Sequence, residues 1–176
     1  MNYLLEFDTQ ILDFIQQHLR NEFLDRIFPF ITVLGNEGII WILIALLFLI
    51  TKKYRKYGVM LSISLILCLL IGNITLKPLV ARIRPFDINT AITLLISKPL
   101  DYSFPSGHTL SSFAAAIIIF YTDKRMGIPA LILASLIAFS RLYLYVHYPS
   151  DILFGIILAC IISFSVIKVY QLKFSK

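Results

Sequence analysis

The sequence predicts an all-α membrane protein: a polytopic bundle of about six transmembrane helices with an N-terminal amphipathic helix. Hydrophobic residues make up 59% of the 176 residues and charged residues only 15%, whereas soluble domains average about 45–50% and about 25%. The apolar residues form long runs, and the charges cluster between them. A soluble core of this size cannot bury so many apolar side chains, so we expect one membrane domain over residues 1–176.

The net charge of +6 does not indicate a nucleic-acid partner, because the basic residues lie in short clusters between apolar runs. Cys68 and Cys160 both fall inside such runs, which predicts free, buried thiols. No cleavable signal peptide is expected, since Glu6, Asp8 and Asp13 interrupt the first 20 residues. The sequence carries no signal for an oligomeric state.

Residues 1–20 have the pattern of an amphipathic helix lying on the membrane surface. Apolar residues recur at helical spacing, and acidic and amide residues lie between them: Leu4, Ile11, Leu12, Ile15 and Leu19 against Asp8, Asp13, Gln16 and Gln17.

Residues 23–34 and 39–50 are two apolar runs, separated by a Gly-Asn-Glu-Gly turn at residues 35–38. Each run is shorter than the roughly 20 residues that span a bilayer. We predict two short crossing helices here, with one interrupted span as the alternative. Further spans are predicted over residues 59–76, 110–121, 128–146 and 152–169.

Basic clusters fix the predicted topology. They lie at residues 52–56, 124–125 and 168–176, which share one side if the spans alternate, and the positive-inside rule makes that side cytoplasmic. Residues 77–109 and the 141–151 junction then meet at the outer face. We therefore expect a multi-pass protein of the cell membrane, of bacterial type, with its site facing outward.

The residues expected at that face form an anion site. Lys77, Arg84 and Arg141 are cations near span ends, and Ser106 and Gly107 begin a helix. Free N–H groups at a helix N-terminus and clustered cations both favour phosphate.

Histidines supply the expected reaction. Asp151 follows His147 by four residues, close to a helix start at Pro149. From there Asp151 can fix the His147 tautomer, which leaves the other ring nitrogen free to attack phosphorus. His108 can then protonate the leaving oxygen. Only the Asp151 spacing distinguishes the roles of the two histidines.

Three blocks carry a family resemblance. They are Lys77-x6-Arg84-Pro85, Pro105-Ser106-Gly107-His108 and Ser140-Arg141-x5-His147-x3-Asp151. In this order they resemble the signature of the phosphatidic acid phosphatase type 2 superfamily of membrane lipid phosphatases. The blocks cover residues 77–151, and the flanking spans suit the six-helix membrane members of that family.

The resemblance implies roles for each residue. His147 forms a phosphohistidine, Asp151 orients it, and His108 protonates the leaving group. The phosphoryl oxygens are held by Lys77, Arg84, Arg141, Ser106 and the Gly107 amide. No metal and no other cofactor is implied. The implied substrate is a membrane lipid phosphate or diphosphate, with undecaprenyl diphosphate, phosphatidylglycerophosphate, phosphatidic acid and a lipid A phosphate as candidates.

Other interpretations remain open from the residues themselves. The cations can snorkel to the interface without a catalytic role, and an anion-binding transporter or a non-catalytic scaffold would also hold them. A metal site is disfavoured because the three cations would repel the ion. Arg82 and Lys98 are predicted to contact lipid headgroups. Asn36 and Glu37 either border the site or are ordinary polar residues of a loop.

Overall fold

A computed structural model describes residues 3–174, except the side chain of Phe174. Within that range the chain forms nine α-helices: α1 (Tyr3–His18), α2 (Glu22–Leu34), α3 (Ile39–Ile50), α4 (Arg55–Leu67), α5 (Lys77–Val80), α6 (Pro85–Ile88), α7 (Gly107–Thr122), α8 (Lys124–Tyr143) and α9 (Pro149–Phe174). A 3₁₀ turn, Asn36–Gly38, precedes α3, and a π-helical segment, Cys68–Leu76, joins α4 to α5. No strand occurs among these residues, so the all-α prediction is confirmed.

Three helical stretches of the described chain are long and apolar enough to cross a bilayer: Arg55–Ile88, Lys124–Tyr143 and Pro149–Lys173. α7 is apolar but has only 16 residues, fewer than the roughly 20 that span the hydrocarbon core. A helical membrane bundle is therefore confirmed, whereas the count of six crossings is not.

α2 and α3 meet at a bend of 43°. Glu37 and Gly38 in the turn have φ angles of 50° and 67°, the left-handed region that glycine enters without steric cost. The chain continues in broadly the same direction here and does not fold back. Together the two helices have the length and composition of one bent span, so two separate crossings are not confirmed for residues 21–50.

α1 has a mixed buried face. Leu12 and Ile15 are buried, and so is Asp8, which is only 1% exposed, whereas Phe7 and Phe14 are exposed. Positions 8, 12 and 15 lie one or two turns apart and share one face of the helix. Asp8 therefore faces the protein, and its grouping with the polar surface residues of α1 is wrong. The interfacial position of α1 stays a prediction.

α7 lies at the centre of the bundle and packs against α4, α8 and α9. Its Ala114, Ala115 and Ala116 have no exposed surface. α8 approaches it so closely that a Cβ at Gly127 would lie 2.1 Å from the Cα of Phe120. Because only Asp123 separates the two helices, they run antiparallel. The start of α7 thus lies beside the end of α8, where the predicted site residues are.

Candidate active site

Three cations and two histidines line a single cavity of about 1050 Å³. Lys77, Arg84 and Arg141 are 8%, 3% and 3% exposed, and His108 and His147 complete the set. Lys77 begins α5, Arg84 directly precedes α6, and Arg141 lies in the last turn of α8. The fold therefore brings residues from all three sequence blocks to one place. Buried charges of one sign are costly without counterions, which favours an anion in this cavity.

The described chain already supplies one anion to the site. The carboxylate of Asp101 lies 2.5 Å from Nη2 of Arg84 and also pairs with Nζ of Lys77. Burial raises the pKa of Asp101, but the hydrogen bond and charge of Lys77 and the charge of Arg84 outweigh it and lower that pKa to about 2. Asp101 is thus a carboxylate at any physiological pH. Sequence reasoning missed it, because an acidic residue in a polar loop carries no distinguishing pattern.

Arg141 keeps part of its guanidinium free. Nη1 donates to Oγ1 of Thr32 on α2 at 2.6 Å. Nε is buried and has no hydrogen-bond partner within residues 3–174. An unpaired buried donor is costly, and a bound anion would satisfy it.

His147 lies between α8 and α9, just after Tyr145, whose φ is 59°. Its Nε2 is 3.2 Å from Nη1 of Arg84, and its Nδ1 is 3.5 Å from Oδ2 of Asp151. Since a guanidinium only donates, Nε2 accepts there and carries a lone pair, which places the proton on Nδ1, toward Asp151. Burial, together with the charges of Arg84 and Arg141, lowers the pKa of His147 well below its ordinary value. The ring is therefore neutral, and its Nε2 lone pair is chemically able to act as a nucleophile.

Asp151 is fully buried behind His147. Its Oδ2 accepts from the Tyr148 N–H at 2.9 Å and from Oγ of Ser103 at 2.5 Å. Its Oδ1 accepts from Nη1 of Arg82 at 2.6 Å. The carboxylate is thus fixed at both oxygens. The prediction that Arg82 contacts lipid headgroups is wrong, because its guanidinium points inward.

His108 faces a side chain from the N-terminal half of the chain. Its Nε2 lies 2.8 Å from Oδ1 of Asn36, in the turn between α2 and α3. Because an amide oxygen can only accept, Nε2 carries a proton here, at the position from which a general acid would donate it. Of the two interpretations of Asn36, bordering the site is confirmed, since Asn36 also lines the cavity.

Ser106 and Gly107 differ in their position. Gly107 lines the cavity, and a Cβ there would lie 2.8 Å from Oδ1 of Asn73. Ser106 is fully buried and caps α7: its Oγ accepts from the N–H of Thr109 at 3.4 Å and from Oγ1 of the same residue at 3.0 Å. Its N–H donates to the Asp151 carbonyl. A direct phosphate contact from Ser106 stays a prediction.

Residues 53–175 match the model of the PAP2 superfamily, which is more than half of the chain. The chain belongs to the PAP2 superfamily. It is 37% identical over 147 residues to an undecaprenyl-diphosphatase of Sulfolobus acidocaldarius, covering 83% of this chain and 70% of the relative. It is 34% identical over 144 residues to the undecaprenyl-diphosphatase BcrC of Bacillus subtilis, covering 82% and 74%.

A solved structure agrees with this PAP2 assignment. The crystal structure of Aquifex aeolicus LpxE matches with a TM-score of 0.78 at 27% identity, covering 92% of this chain and 95% of that chain. The likeness thus extends over nearly the whole fold, including helices that precede the family match.

The remaining candidates lie outside the PAP2 site. Lys98 forms an exposed ion pair with Asp87 at 2.5 Å, so its predicted headgroup contact stays a prediction. Exposed His18 on α1 lies with its Nδ1 3.1 Å from the carbonyl oxygen of Phe14, and its ring stacks on the ring of the same residue. Within residues 3–174 no group of three or more His, Cys, Asp or Glu side chains is arranged to hold a metal ion.

Proposed function

We propose that this protein hydrolyses undecaprenyl diphosphate at the outer face of the cell membrane through a phosphohistidine intermediate. It is an enzyme of the membrane lipid phosphatase class, as its superfamily and its relatives indicate. The choice of substrate rests on the two relatives named undecaprenyl-diphosphatases. Phosphatidylglycerophosphate and phosphatidic acid are the alternatives within the class, and an anion-binding transporter is the alternative outside it.

The cavity of the three cations and two histidines carries the proposal, because it has a charged end and an apolar wall. Its charged end holds the cations and both histidines. Its wall continues along α3, α4 and the start of the π-helical segment through Ile42, Leu46, Leu65, Ile66 and Leu69. A volume of about 1050 Å³ lies at the upper end of the range for small-molecule sites. A phosphate headgroup fits the charged end, and an isoprenoid or acyl tail fits the apolar wall.

In the first step, Nε2 of His147 attacks the terminal phosphorus. A nitrogen–phosphorus bond forms, and the bond from phosphorus to the bridging oxygen breaks. His108 acts in its imidazolium form: it gives its Nε2 proton to that oxygen and becomes neutral, so the lipid monophosphate leaves. Asp151 stabilises the positive charge that develops on the His147 ring.

In the second step, water attacks the phosphohistidine. His108, now neutral, takes the proton from the water as a general base. The nitrogen–phosphorus bond breaks, inorganic phosphate leaves, and both histidines return to their starting states. The same residue acts as acid and then as base because it faces the same side of phosphorus in both steps.

The cations stabilise the charge on the transferring phosphoryl group. Lys77 and Arg84 surround the anion position that Asp101 now occupies, and Arg141 adds its unpaired Nε. Such fixed charges are the main source of catalysis in phosphoryl transfer. Arg84 also releases the His147 lone pair when it turns to the phosphate.

We further propose a single membrane domain whose site faces outward. α2 and α3 as one bent span, together with α4–α5, α7, α8 and α9, give five crossings and not six. α1 would then lie on the same side as the site, in keeping with its contact from Asp8 to Arg82. The positive-inside rule makes that side external.

A phosphate-release panel tests the proposal. The purified protein in detergent is offered undecaprenyl diphosphate, phosphatidylglycerophosphate and phosphatidic acid, and rapid quenching in base traps the phosphohistidine. We expect the highest kcat/KM on undecaprenyl diphosphate, and loss of at least about 10³-fold in His147→Ala. His18→Ala is the matched control and should retain full activity. Full activity of His147→Ala, or no phosphate release by the unaltered protein, contradicts the proposal.

Orientation has its own test. Lys98→Cys and Lys53→Cys variants, made in a Cys68→Ala/Cys160→Ser background, are labelled in intact cells with a membrane-impermeant maleimide. Labelling at position 98 alone supports an outward site. Labelling at position 53 alone places the site in the cytoplasm.

A further inference from the structure

Asp8 on α1 is a buried carboxylate whose two oxygens are both engaged. It is 1% exposed. Oδ1 accepts a hydrogen bond from the backbone N–H of Ser150 at 2.9 Å. Oδ2 accepts one hydrogen bond from Oγ of Ser150 at 2.5 Å and another from Nη2 of Arg82 at 2.7 Å. Asp8 lies outside the part of the chain that matches the PAP2 model. A charge is buried in this way only when its partners compensate the lost hydration.

Arg82 connects this carboxylate to the catalytic one. Nη2 donates to Asp8, while Nη1 donates to Asp151 at 2.6 Å and to Oγ of Ser150 at 2.7 Å. The guanidinium also lies over the ring of Tyr148, 3.9 Å from its centroid. A planar, forked side chain can hold two carboxylates at once, which a lysine ammonium cannot do with the same geometry.

The network ends at the nucleophile. Asp151 presents Oδ2 to Nδ1 of His147 at 3.5 Å, and Arg82 binds the other oxygen. If Arg82 acted alone, its charge would cancel that of Asp151 and weaken the field at His147. With Asp8 included, the two carboxylates and one guanidinium keep one net negative charge.

Resting on the phosphohistidine reaction proposed above, we propose that Asp8 and Arg82 are positioning residues for His147. Arg82 fixes Asp151, and Asp8 restores the negative charge that Arg82 would cancel. The charge matters when the His147 ring becomes cationic, that is, as the nitrogen–phosphorus bond forms. The N-terminal helix is therefore part of the catalytic electrostatics, and not only a surface anchor.

A purely structural role makes a different prediction. Asp8 also accepts an N–H from the first turn of α9, which by itself would stabilise the helix start. Asparagine at position 8 keeps an oxygen for that N–H but removes the charge. The Asp8→Asn variant therefore separates capping from electrostatics.

The experiment compares Asp8→Asn, Asp8→Glu and the double variant Asp8→Asn/Arg82→Met in the purified full chain, using the lipid that the unaltered protein hydrolyses fastest. For Asp8→Asn we expect kcat and the rate of phosphohistidine formation to fall about tenfold, with KM within about twofold. Asp8→Glu keeps the charge, and its kcat should remain within about threefold of that of the unaltered protein.

The double variant is decisive. Removing both charges again leaves Asp151 with one net negative charge, still held by Ser103 and the Tyr148 N–H. Its kcat should exceed that of Asp8→Asn alone. A structural role predicts the reverse, because the double variant loses more hydrogen bonds. The inference is overturned if Asp8→Asn stays within about twofold of the unaltered kcat, or if the double variant falls below Asp8→Asn.

Two further measurements complete the test. Asp13→Asn makes the same change elsewhere on α1, where Asp13 bonds the hydroxyl of Tyr145, and should leave kcat unchanged. If Asp8→Asn does not purify as a folded protein, the double variant alone decides: kcat within about tenfold of the unaltered value supports the inference, and a larger loss overturns it. His147→Ala, measured in the same experiment, distinguishes a failure of the phosphohistidine reaction from a failure of the role of Asp8. If that variant is inactive while Asp8→Asn is unaffected, only the role of Asp8 is refuted.

Discussion

The carboxylate of Asp101 lies 2.5 Å from the guanidinium of Arg84 and occupies an anion position inside the cavity of the two histidines. A substrate phosphate that binds Lys77 and Arg84 must therefore displace it. We therefore expect Asp101 to compete with the substrate phosphate for these two cations.

We expect Asp101→Asn to lower KM about threefold to tenfold, because the phosphate no longer competes with a carboxylate for the two cations. Inhibition by inorganic phosphate should become tighter by a similar factor. Steady-state kinetics with phosphate as the inhibitor measures both. Asp87→Asn, which removes the partner of exposed Lys98, is the control and should change neither. A raised KM in Asp101→Asn would show instead that the carboxylate organises the cations for substrate.

The Asp101 carboxylate makes the free energy of unfolding depend on pH under acidic conditions. Its pKa is lowered from 3.8 to about 2, so its stabilising effect is complete above about pH 4 and is lost as the pH falls toward 2. The effect is small, because the side chain is 52% exposed. In detergent, the unaltered protein should have a higher unfolding temperature than Asp101→Asn at neutral pH. The difference between the two temperatures should shrink as the pH falls toward 2. A constant gap would contradict the lowered pKa.

Asn36 should control the protonation of His108. Replacing it with leucine removes the acceptor that holds the Nε2 proton. We expect kcat to fall about tenfold, most strongly on lipids with a poor leaving group, while KM changes little. Kinetics on substrates with leaving groups of graded pKa measures this, and Asn89→Leu, outside the cavity, is the matched control. Equal losses on good and poor leaving groups would show that Asn36 does not act through the acid.

The contact of α7 with α8 should tolerate no extra methyl group. A Cβ at Gly127 meets the backbone of Phe120 at 2.1 Å, whereas at Gly155 the nearest atom is 3.3 Å away. Gly127→Ala should destabilise the protein by about 1–3 kcal/mol or more, and Gly155→Ala by clearly less. Thermal unfolding in one detergent compares the two. Similar unfolding temperatures would mean that the helices separate easily.

The chemistry of the site was readable from the sequence because its residues occur in short blocks with fixed spacing. Lys77, His108, Arg141 and His147 come from three such blocks, and the structure brings them to one cavity. Alternation of spans predicted that blocks far apart in sequence would meet at one end of the bundle. The class of protein, and the grouping of these four residues around one cavity, therefore followed from local patterns.

The partners of those residues were not readable. Asp101 and Asp8 contact Arg84 and Arg82 across 17 and 74 positions, and no local periodicity marks such pairs. The bend between α2 and α3 was ambiguous for a related reason. A Gly-Asn-Glu-Gly turn fits both a hairpin and a kink, and it is the bend of 43° between α2 and α3 in the structure that shows a kink.

The cavity has a charged end and an apolar wall, and this arrangement gives lipid and phosphate separate routes. The lipid tail can stay among hydrocarbon throughout the reaction, because lifting each methylene into water would cost about 0.8 kcal/mol. Substrate and lipid product then enter and leave sideways within the leaflet, while water and inorganic phosphate use the charged end. The active site would contact both the bilayer hydrocarbon and water. Its turnover rate would then depend on lipid fluidity as well as on the rate of phosphoryl transfer.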